Sequence, residues 1–212
     1  MKGNLIIISS PSGGGKGTLI REILRSVPDI GYSISLTTRP PRPGEKDGEE
    51  YHFVSRAEFE KFAAENGFLE HAEVHGNLYG TSKRQTDAIL ASGRDVILEI
   101  DVQGANLVLA KMPDAVSIFI LPPSFEALRD RLTGRATEDP MNLSTRLRNA
   151  FVEVTAFSQF RYFVVNDEIG SASQKLEMII LAERQRTNRQ AVVIQSILDS
   201  FDRAKKIENT GD

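Results

Sequence analysis

The segment Ser10-Pro11-Ser12-Gly13-Gly14-Gly15-Lys16-Gly17-Thr18 carries the first chemistry in the chain. Successive glycines clear side chains away from a run of backbone N–H groups, so those groups can converge on one anion. Lys16 adds a point charge suited to the β and γ phosphates of a nucleotide. A helix starting here turns its N-terminus toward the same place and adds partial positive charge. The run approximates the phosphate-loop pattern G-x-x-x-x-G-K-[ST], with two departures. Ser10 stands at the first glycine position. Gly17 stands where a hydroxyl residue helps hold Mg²⁺, and Thr18 follows one position later, which makes Thr18 a candidate metal ligand. A flexible glycine turn that merely starts a helix is the bland alternative. Strand, loop, lysine and helix in this order favour a nucleoside triphosphate site made of Ser12, Gly13, Gly14, Gly15, Lys16, Gly17 and Thr18.

Such a loop identifies a triphosphate and leaves the second substrate open. A more specific segment follows: Ser35-Leu36-Thr37-Thr38-Arg39-Pro40-Pro41-Arg42-Pro43-Gly44-Glu45, then Gly48 and Tyr51-His52-Phe53. Further along stand Glu70, Gly76-Asn77-Leu78-Tyr79-Gly80-Thr81 and Glu99-Ile100-Asp101-Val102-Gln103-Gly104. Arg131-Leu132-Thr133-Gly134-Arg135, Arg146 and Asn166-Asp167 complete the set. With these motifs the chain resembles the guanylate kinases, from the phosphate loop to about Asp167. Gly17 fits the same reading, because Gly-Lys-Gly-Thr is also similar to the loop of adenylate kinases.

The resemblance implies a role for each residue, and the residue types suit those roles. Arg39 and Arg42 would grip a monophosphate through bidentate contacts. Tyr51 and Tyr79 would donate hydroxyls to the same phosphate. Guanine offers two donors on one edge, N1–H and the 2-amino group, and one carboxylate matches both. Glu70 is the expected reader, since adenine lacks that edge. Ser35 and Thr81 would donate to guanine O6. Asp101 would accept from the 2-amino group or orient metal-bound water, which makes it a second metal candidate. Each residue also has a plainer use: solvated arginines, a surface carboxylate, strand hydroxyls, half-buried packing tyrosines, and a helix N-cap at Asp101.

On the donor side, the resemblance places Arg131, Arg135 and Arg146 in a lid and Asn166 beside the adenine of ATP. Surface charge paired with Asp130, Glu138 or Asp139 is the ordinary alternative for the arginines. Arginines suit phosphoryl transfer because charge spreads over the moving group's oxygens. The implied catalytic set is Lys16, Arg39, Arg135 and Arg146, acting on ATP and GMP with Mg²⁺. A phosphate monoester has a second pKa near about 6, so the attacking group needs no general base.

These residues need a scaffold to hold them. Leu5–Ser9 reads as a buried strand, and Leu19, Ile20, Ile23 and Leu24 recur at helical spacing after Lys16. Ser55 and Glu58 form a capping-box pattern before a helix that Gly67 should stop. A strand is expected from Phe68 to His75 and a helix from Ser82 to Ser92. Strands Asp95–Asp101, Val116–Leu121 and one at Val164 and Val165 follow. A helix after Ser124 lies between the last two. Alternating strands and helices predict an α/β fold with a parallel, doubly wound sheet flanked by helices. The expected division is a P-loop core domain of 1–33, 94–125 and 160–212, an inserted GMP-binding domain of 34–93, and a helical lid of 126–159. Val193, Ile194, Ile197, Leu198 and Phe201 fall near helical spacing. That stripe reads first as packing on its own core, with a homodimer contact as the alternative.

Composition excludes other chemistries. Cysteine is absent, so disulfides, thiolate metal sites and thiol catalysis are out. The histidines are His52, His71 and His75, without metal-ligand spacing. Lys and Arg total 26 against 29 Asp and Glu, a formal charge of −3. That gives no basic coat for a nucleic acid polymer. The apolar run Leu5–Ile8 is too short for a signal peptide or membrane span, and no later run reaches about 18 residues. A cytoplasmic protein without a membrane partner is the expectation. Two rival functions remain: a guanylate-kinase-like protein-binding module, and a kinase acting on AMP or a phosphorylated sugar. The Lys16 loop and the lid arginines disfavour the first, and Glu70 with Ser35 and Thr81 disfavours the second.

Overall fold

The structure, a computed structural model, describes residues 2–74, 76–134 and 140–208. It opens on β1 (Leu5–Ser9), in which every residue is buried. A strand covered on both faces has no need of polar alternation, and this one is nearly all aliphatic. Next come α1 (Lys16–Ser26), β2 (Ile30–Tyr32), β3 (Leu36–Thr37), β4 (His52–Phe53) and α2 (Arg56–Ala64). The hairpin β5 (Phe68–Val74) and β6 (Asn77–Ser82) leads into α3 (Lys83–Ala91). Then follow β7 (Asp95–Glu99), α4 (Val102–Lys111), β8 (Val116–Leu121), α5 (Phe125–Thr133) and α6 (Pro140–Glu153). A 3₁₀ turn (Val154–Gln159) precedes β9 (Tyr162–Val165), α7 (Ile169–Arg184) and α8 (Ala191–Glu208).

Five strands form the main sheet, in the order β2-β7-β1-β8-β9, and all pair in parallel. Successive β1 side chains point to opposite faces. Ile6 and Ile8 enter one apolar cluster with Leu19, Ile20 and Ile23 of α1 and Leu176 and Ile180 of α7. Leu5 and Ile7 enter a second cluster with Leu90 of α3, Ala105 and Val108 of α4, and Phe160. Helices thus cover both faces, as the doubly wound expectation requires. The order places the C-terminal ends of β1 and β7 side by side, next to the start of α1.

A second, smaller sheet has the order β4-β3-β6-β5. It is mixed: β3 pairs with β4 in parallel and with β6 in antiparallel fashion, and β5 and β6 form an antiparallel hairpin. Its β5 carries one extra residue. Phe68 pairs with Ser82 and Glu70 pairs with Thr81, so Leu69 is a bulge.

Local signals place most helix ends. Ser55 and Glu58 form both halves of the capping box. Ser82, Asp101 and Ser124 accept backbone N–H bonds as N-caps of α3, α4 and α5. The stop after α2 differs from expectation. Asn66, at φ 54°, takes the left-handed turn, and Gly67 N then donates to Phe62 O. Asparagine tolerates that conformation better than most residues, so it serves where glycine was expected. Strand β2 was unannounced, because three residues are too few to show a period.

The reading of the C-terminal stripe as core packing is wrong. In α8, Ile197 is 51% exposed and Phe201 70% exposed, with Val193 and Leu198 also uncovered. Helical spacing identifies an apolar face, but it does not say what the face meets. Among the described residues, no helix is long and apolar enough to cross a membrane.

Candidate active site

The phosphate loop lies between β1 and α1, at the C-terminal edge of the main sheet. Two of its glycines are required by conformation. Gly13 has φ 83° and Gly15 has φ 89°, a region that penalises any Cβ. Space is short as well: a Cβ on Gly15 would lie 2.3 Å from Asn166 Nδ2, and one on Gly13 would lie 2.9 Å from Leu132. Gly15 caps α1, so the helix begins at Lys16 and its first N–H groups face the loop. Lys16 Nζ donates to Ser10 Oγ at 3.1 Å. Ser10 therefore has a use that glycine could not fill.

Asn166 sits beneath this loop. Its Nδ2 donates to Gly14 O at 3.0 Å, while its buried Oδ1 has no hydrogen-bond partner among the described residues. Arg131 donates through one guanidinium nitrogen to Asn166 O at 2.7 Å, and its buried Nη1 has no partner among the described residues. A buried charged N–H without an acceptor is costly, and an incoming anion would relieve that cost. Arg135 lies outside the described residues, and so does the side chain of Arg146.

A cleft of about 490 Å³ joins the loop to the smaller sheet. Lys16, Gly17 and Thr18 line one side; Ser35, Arg39, Arg42, Tyr51, Glu70 and Tyr79 line the other, with Asp101 between. Arg39 Nη2 donates to both Glu45 carboxylate oxygens at 2.9 Å, Nη1 donates to Pro40 O at 2.7 Å, and the guanidinium lies 5.4 Å from the Tyr51 ring centre. Burial opposes the Arg39 charge, but Glu45 outweighs it and holds the guanidinium above its ordinary pKa. Burial likewise opposes the Glu45 charge, yet the Arg42 N–H and Arg39 keep that carboxyl below its usual range. The Tyr51 and Tyr79 rings meet edge to face at 5.8 Å. Burial, with Glu99 and Tyr79 nearby, pushes the Tyr51 hydroxyl up, so it stays a donor.

Glu70 is only 5% exposed. Burial pushes its carboxyl up from the usual range, Asp101 adds to the shift, and a Thr81 hydrogen bond opposes it. Thr81 Oγ1 donates to Glu70 Oε1 at 2.6 Å, so its proton is spent on the carboxylate. Gly104 leaves room for the other oxygen: a Cβ there would lie 2.7 Å from Glu70 Oε2. Asp101 accepts Gly104 N–H at 2.8 Å as the N-cap of α4, and it also faces the cleft.

Two further carboxylates had no assigned role in the sequence. Glu99 ends β7, the strand beside β1, and its oxygens lie 3.8 Å from where a Cβ on Gly17 would stand. It accepts the Tyr32 hydroxyl at 3.3 Å, and burial with this charge drives the Tyr32 pKa far above ordinary. An acidic residue ending a strand next to the phosphate-loop strand was the available signal. Glu153 Oε2 accepts the Ser12 backbone N–H at 2.9 Å. No local pattern links two residues so far apart in sequence. Thr18 Oγ1 faces Arg21 at 3.4 Å. Of the candidates near Gly17, Glu99 has the better donor chemistry for a hard cation.

Comparison with known proteins gives one consistent result. The family model described as guanylate kinase matches residues 2–183. The guanylate kinase of Clostridium perfringens (strain 13 / Type A) is 50% identical over 188 residues, covering 89% of this chain and 87% of that protein. The guanylate kinase of Symbiobacterium thermophilum is 47% identical over 199 residues, covering 93% and 94%. The crystal structure of guanylate kinase from Anaplasma phagocytophilum matches with a TM-score of 0.78 at 34% identity, covering 94% of this chain and 95% of that one.

The loop geometry generates a direct test. Gly15→Ala should weaken binding of a fluorescent ATP analogue on the order of tenfold or more, because a strained backbone and a clash with Asn166 add together. Thermal melting of the same variant checks that the fold survives. Unchanged affinity in a folded variant would show that the left-handed turn is not needed.

Proposed function

The chain belongs to the guanylate kinase family, and from that premise we propose how its residues transfer a phosphoryl group from ATP to GMP. The reaction is ATP + GMP ⇌ ADP + GDP. An oxygen of the GMP phosphate attacks the γ-phosphorus of ATP, the bond to the β–γ bridging oxygen breaks, and ADP leaves in line. The observation that carries this reading is the cleft itself: phosphate loop on one wall, Arg39, Arg42, Tyr51, Tyr79 and Glu70 on the other.

Glu70 accepts N1–H and the 2-amino group of guanine, and Ser35 donates to O6. Thr81, buried against Glu70, holds that carboxylate in place instead of donating to O6. Asp101 reaches the 2-amino group with the oxygen not used by its cap. Arg39, Arg42, Tyr51 and Tyr79 hold the GMP phosphate. Glu45 and the Pro40 carbonyl hold the Arg39 guanidinium in place at the cleft, ready for the oxygens of a phosphate. Ser12 through Thr18 wrap the ATP phosphates, and Arg131 offers its unpartnered nitrogen to them. Asn166 stands beside the adenine and shapes the loop. Lys16, Arg39, Arg135 and Arg146 stabilise the charge on the moving group. The GMP phosphate is largely dianionic at neutral pH, its second pKa being about 6. Alignment and electrostatics therefore supply the catalysis.

The donor chemistry near Gly17 suits Mg²⁺. Glu99, with Asp101 and Thr18 in supporting positions, would hold the ion together with the ATP phosphates. When bound, it screens phosphate charge and polarises the phosphoryl oxygens. Residues 1–33, 94–125 and 160–212 act as the core, 34–93 as the GMP-binding domain and 126–159 as a lid that closes over ATP and excludes water. We read the uncovered stripe of α8 as a homodimer contact, since two copies can bury like faces against each other. We place the enzyme in the cytoplasm, where its nucleotide substrates are.

A coupled assay with ATP and a panel of GMP, AMP, IMP and a phosphorylated sugar tests the reaction. GMP should be the preferred acceptor, and Glu70→Gln should narrow its lead over AMP. Turnover of AMP or the sugar in preference to GMP would overturn the reading. Glu99→Gln should raise the Mg²⁺ concentration for half-maximal rate by about tenfold. An unchanged Mg²⁺ requirement would remove Glu99 from the metal site. Light scattering after size exclusion should give twice the mass of one chain; a monomer would exclude the homodimer.

A further inference from the structure

Guanine recognition depends on the direction in which Glu70 points, and the direction is set by the bulge in β5. In a regular strand, alternate side chains share a face, which would group Phe68 with Glu70 and Leu69 with His71. The extra residue breaks that alternation. Phe68 packs against α2, its ring 4.4 Å from Phe59 and 4.7 Å from Phe62. His71 stays on that side, 5.5 Å from the Phe68 ring. Leu69 instead joins the core cluster with Leu90 and Val108, and Glu70 follows it toward α4, where Gly104 makes room. A strand without the bulge would carry this carboxylate to the opposite face.

Bulges leave backbone groups outside the ladder, and those groups need other partners. At this bulge the partner is Lys111, in the last turn of α4. Its Nζ donates to Leu69 O at 2.6 Å. Helical side chains lean toward their own N-terminus, which brings this ammonium back along α4 toward the site. The same helix thus supplies Asp101 at the cleft, Gly104 under the Glu70 carboxylate and Lys111 on the adjoining carbonyl. The positive charge of Lys111 also favours the ionised form of Glu70, against burial and the neighbouring Asp101.

We propose that Lys111 is a positioning residue for guanine selectivity, pinning the β5 bulge so that Glu70 faces the base. The proposal rests on the assignment of Glu70 as the guanine reader. Lys111 does not line the cleft, so its removal should affect one substrate and one edge of one base. Nothing in its position ties it to the ATP phosphates.

The test uses the full chain with Lys111→Met, Lys111→Arg and Glu70→Gln. At saturating ATP, Lys111→Met should raise the KM for GMP about tenfold, the scale of one misaimed hydrogen bond to a charged group. The KM for ATP should stay within experimental error. The preference for GMP over IMP, which lacks the 2-amino group, should shrink together with the GMP affinity. Lys111→Arg should restore both, because it keeps a cationic donor. Melting temperatures report whether each variant is folded. Equal losses for ATP and GMP, or an unchanged GMP-to-IMP ratio in folded Lys111→Met, would overturn the proposal. If Glu70→Gln itself keeps the full preference for GMP over IMP, the assignment of the guanine reader fails instead.

Discussion

Two polyanions have to be brought phosphate to phosphate, and their mutual repulsion is the constraint on which the rest of the structure depends. The chain meets it without an overall positive charge. Its formal charge is −3, yet Lys16, Arg39 and Arg42 gather around one cleft, with Arg131 packed beside the phosphate loop. Cations crowded together would repel one another in the absence of substrate. Carboxylates and a hydroxyl take part of that load: Glu45 holds Arg39, Lys16 rests on Ser10 Oγ, and Glu153 takes the Ser12 N–H. Arg131 is the exception, with a buried Nη1 that finds no partner among the described residues.

The same constraint explains why so much of the site is made of absences. On the proposed reading, loop backbone approaches phosphate and the Glu70 carboxylate approaches the base, with nothing in between. Gly13 and Gly15 adopt left-handed conformations against neighbouring side chains, and Gly104 leaves the space that Glu70 fills. These positions sit at junctions of rigid elements. The loop spans β1 and α1, and Glu70 faces α4 from β5. A site that joins two sheets is held by the helix between them, which is why α4 carries residues at both ends of that contact.

Much of this was legible in local sequence. The loop, its lysine and the following helix are contiguous, and chain connectivity alone brings them together. Capping residues at Ser55, Ser82, Asp101 and Ser124 act over three or four positions, so their patterns predict the helix starts that the structure contains. Where a signal depends on what lies across the fold, the pattern was insufficient. Apolar spacing in α8 was genuine, but the face is uncovered. Glu99 stood inside a recognised motif without a role of its own, because its place opposite Gly17 comes from the strand order. Glu153 and Lys111 depend on contacts across the chain, with Ser12 and Leu69 as partners.

Residue types and their short-range spacing already set out the chemistry available: a phosphate loop, a second group of arginines and tyrosines, a carboxylate at Glu70, and no thiol. They do so because they fix donors, charges and helix starts within a few bonds of backbone. Only the tertiary structure decided which way those groups face. The bulge at Leu69 turns Glu70 inward, and the parallel pairing of β1 with β7 sets Glu99 against the loop. Asn166 lies under Gly14 because β9 ends beside the loop, with β8 between them in the sheet. Direction in space comes from register and packing between distant segments, and no short stretch of sequence encodes it.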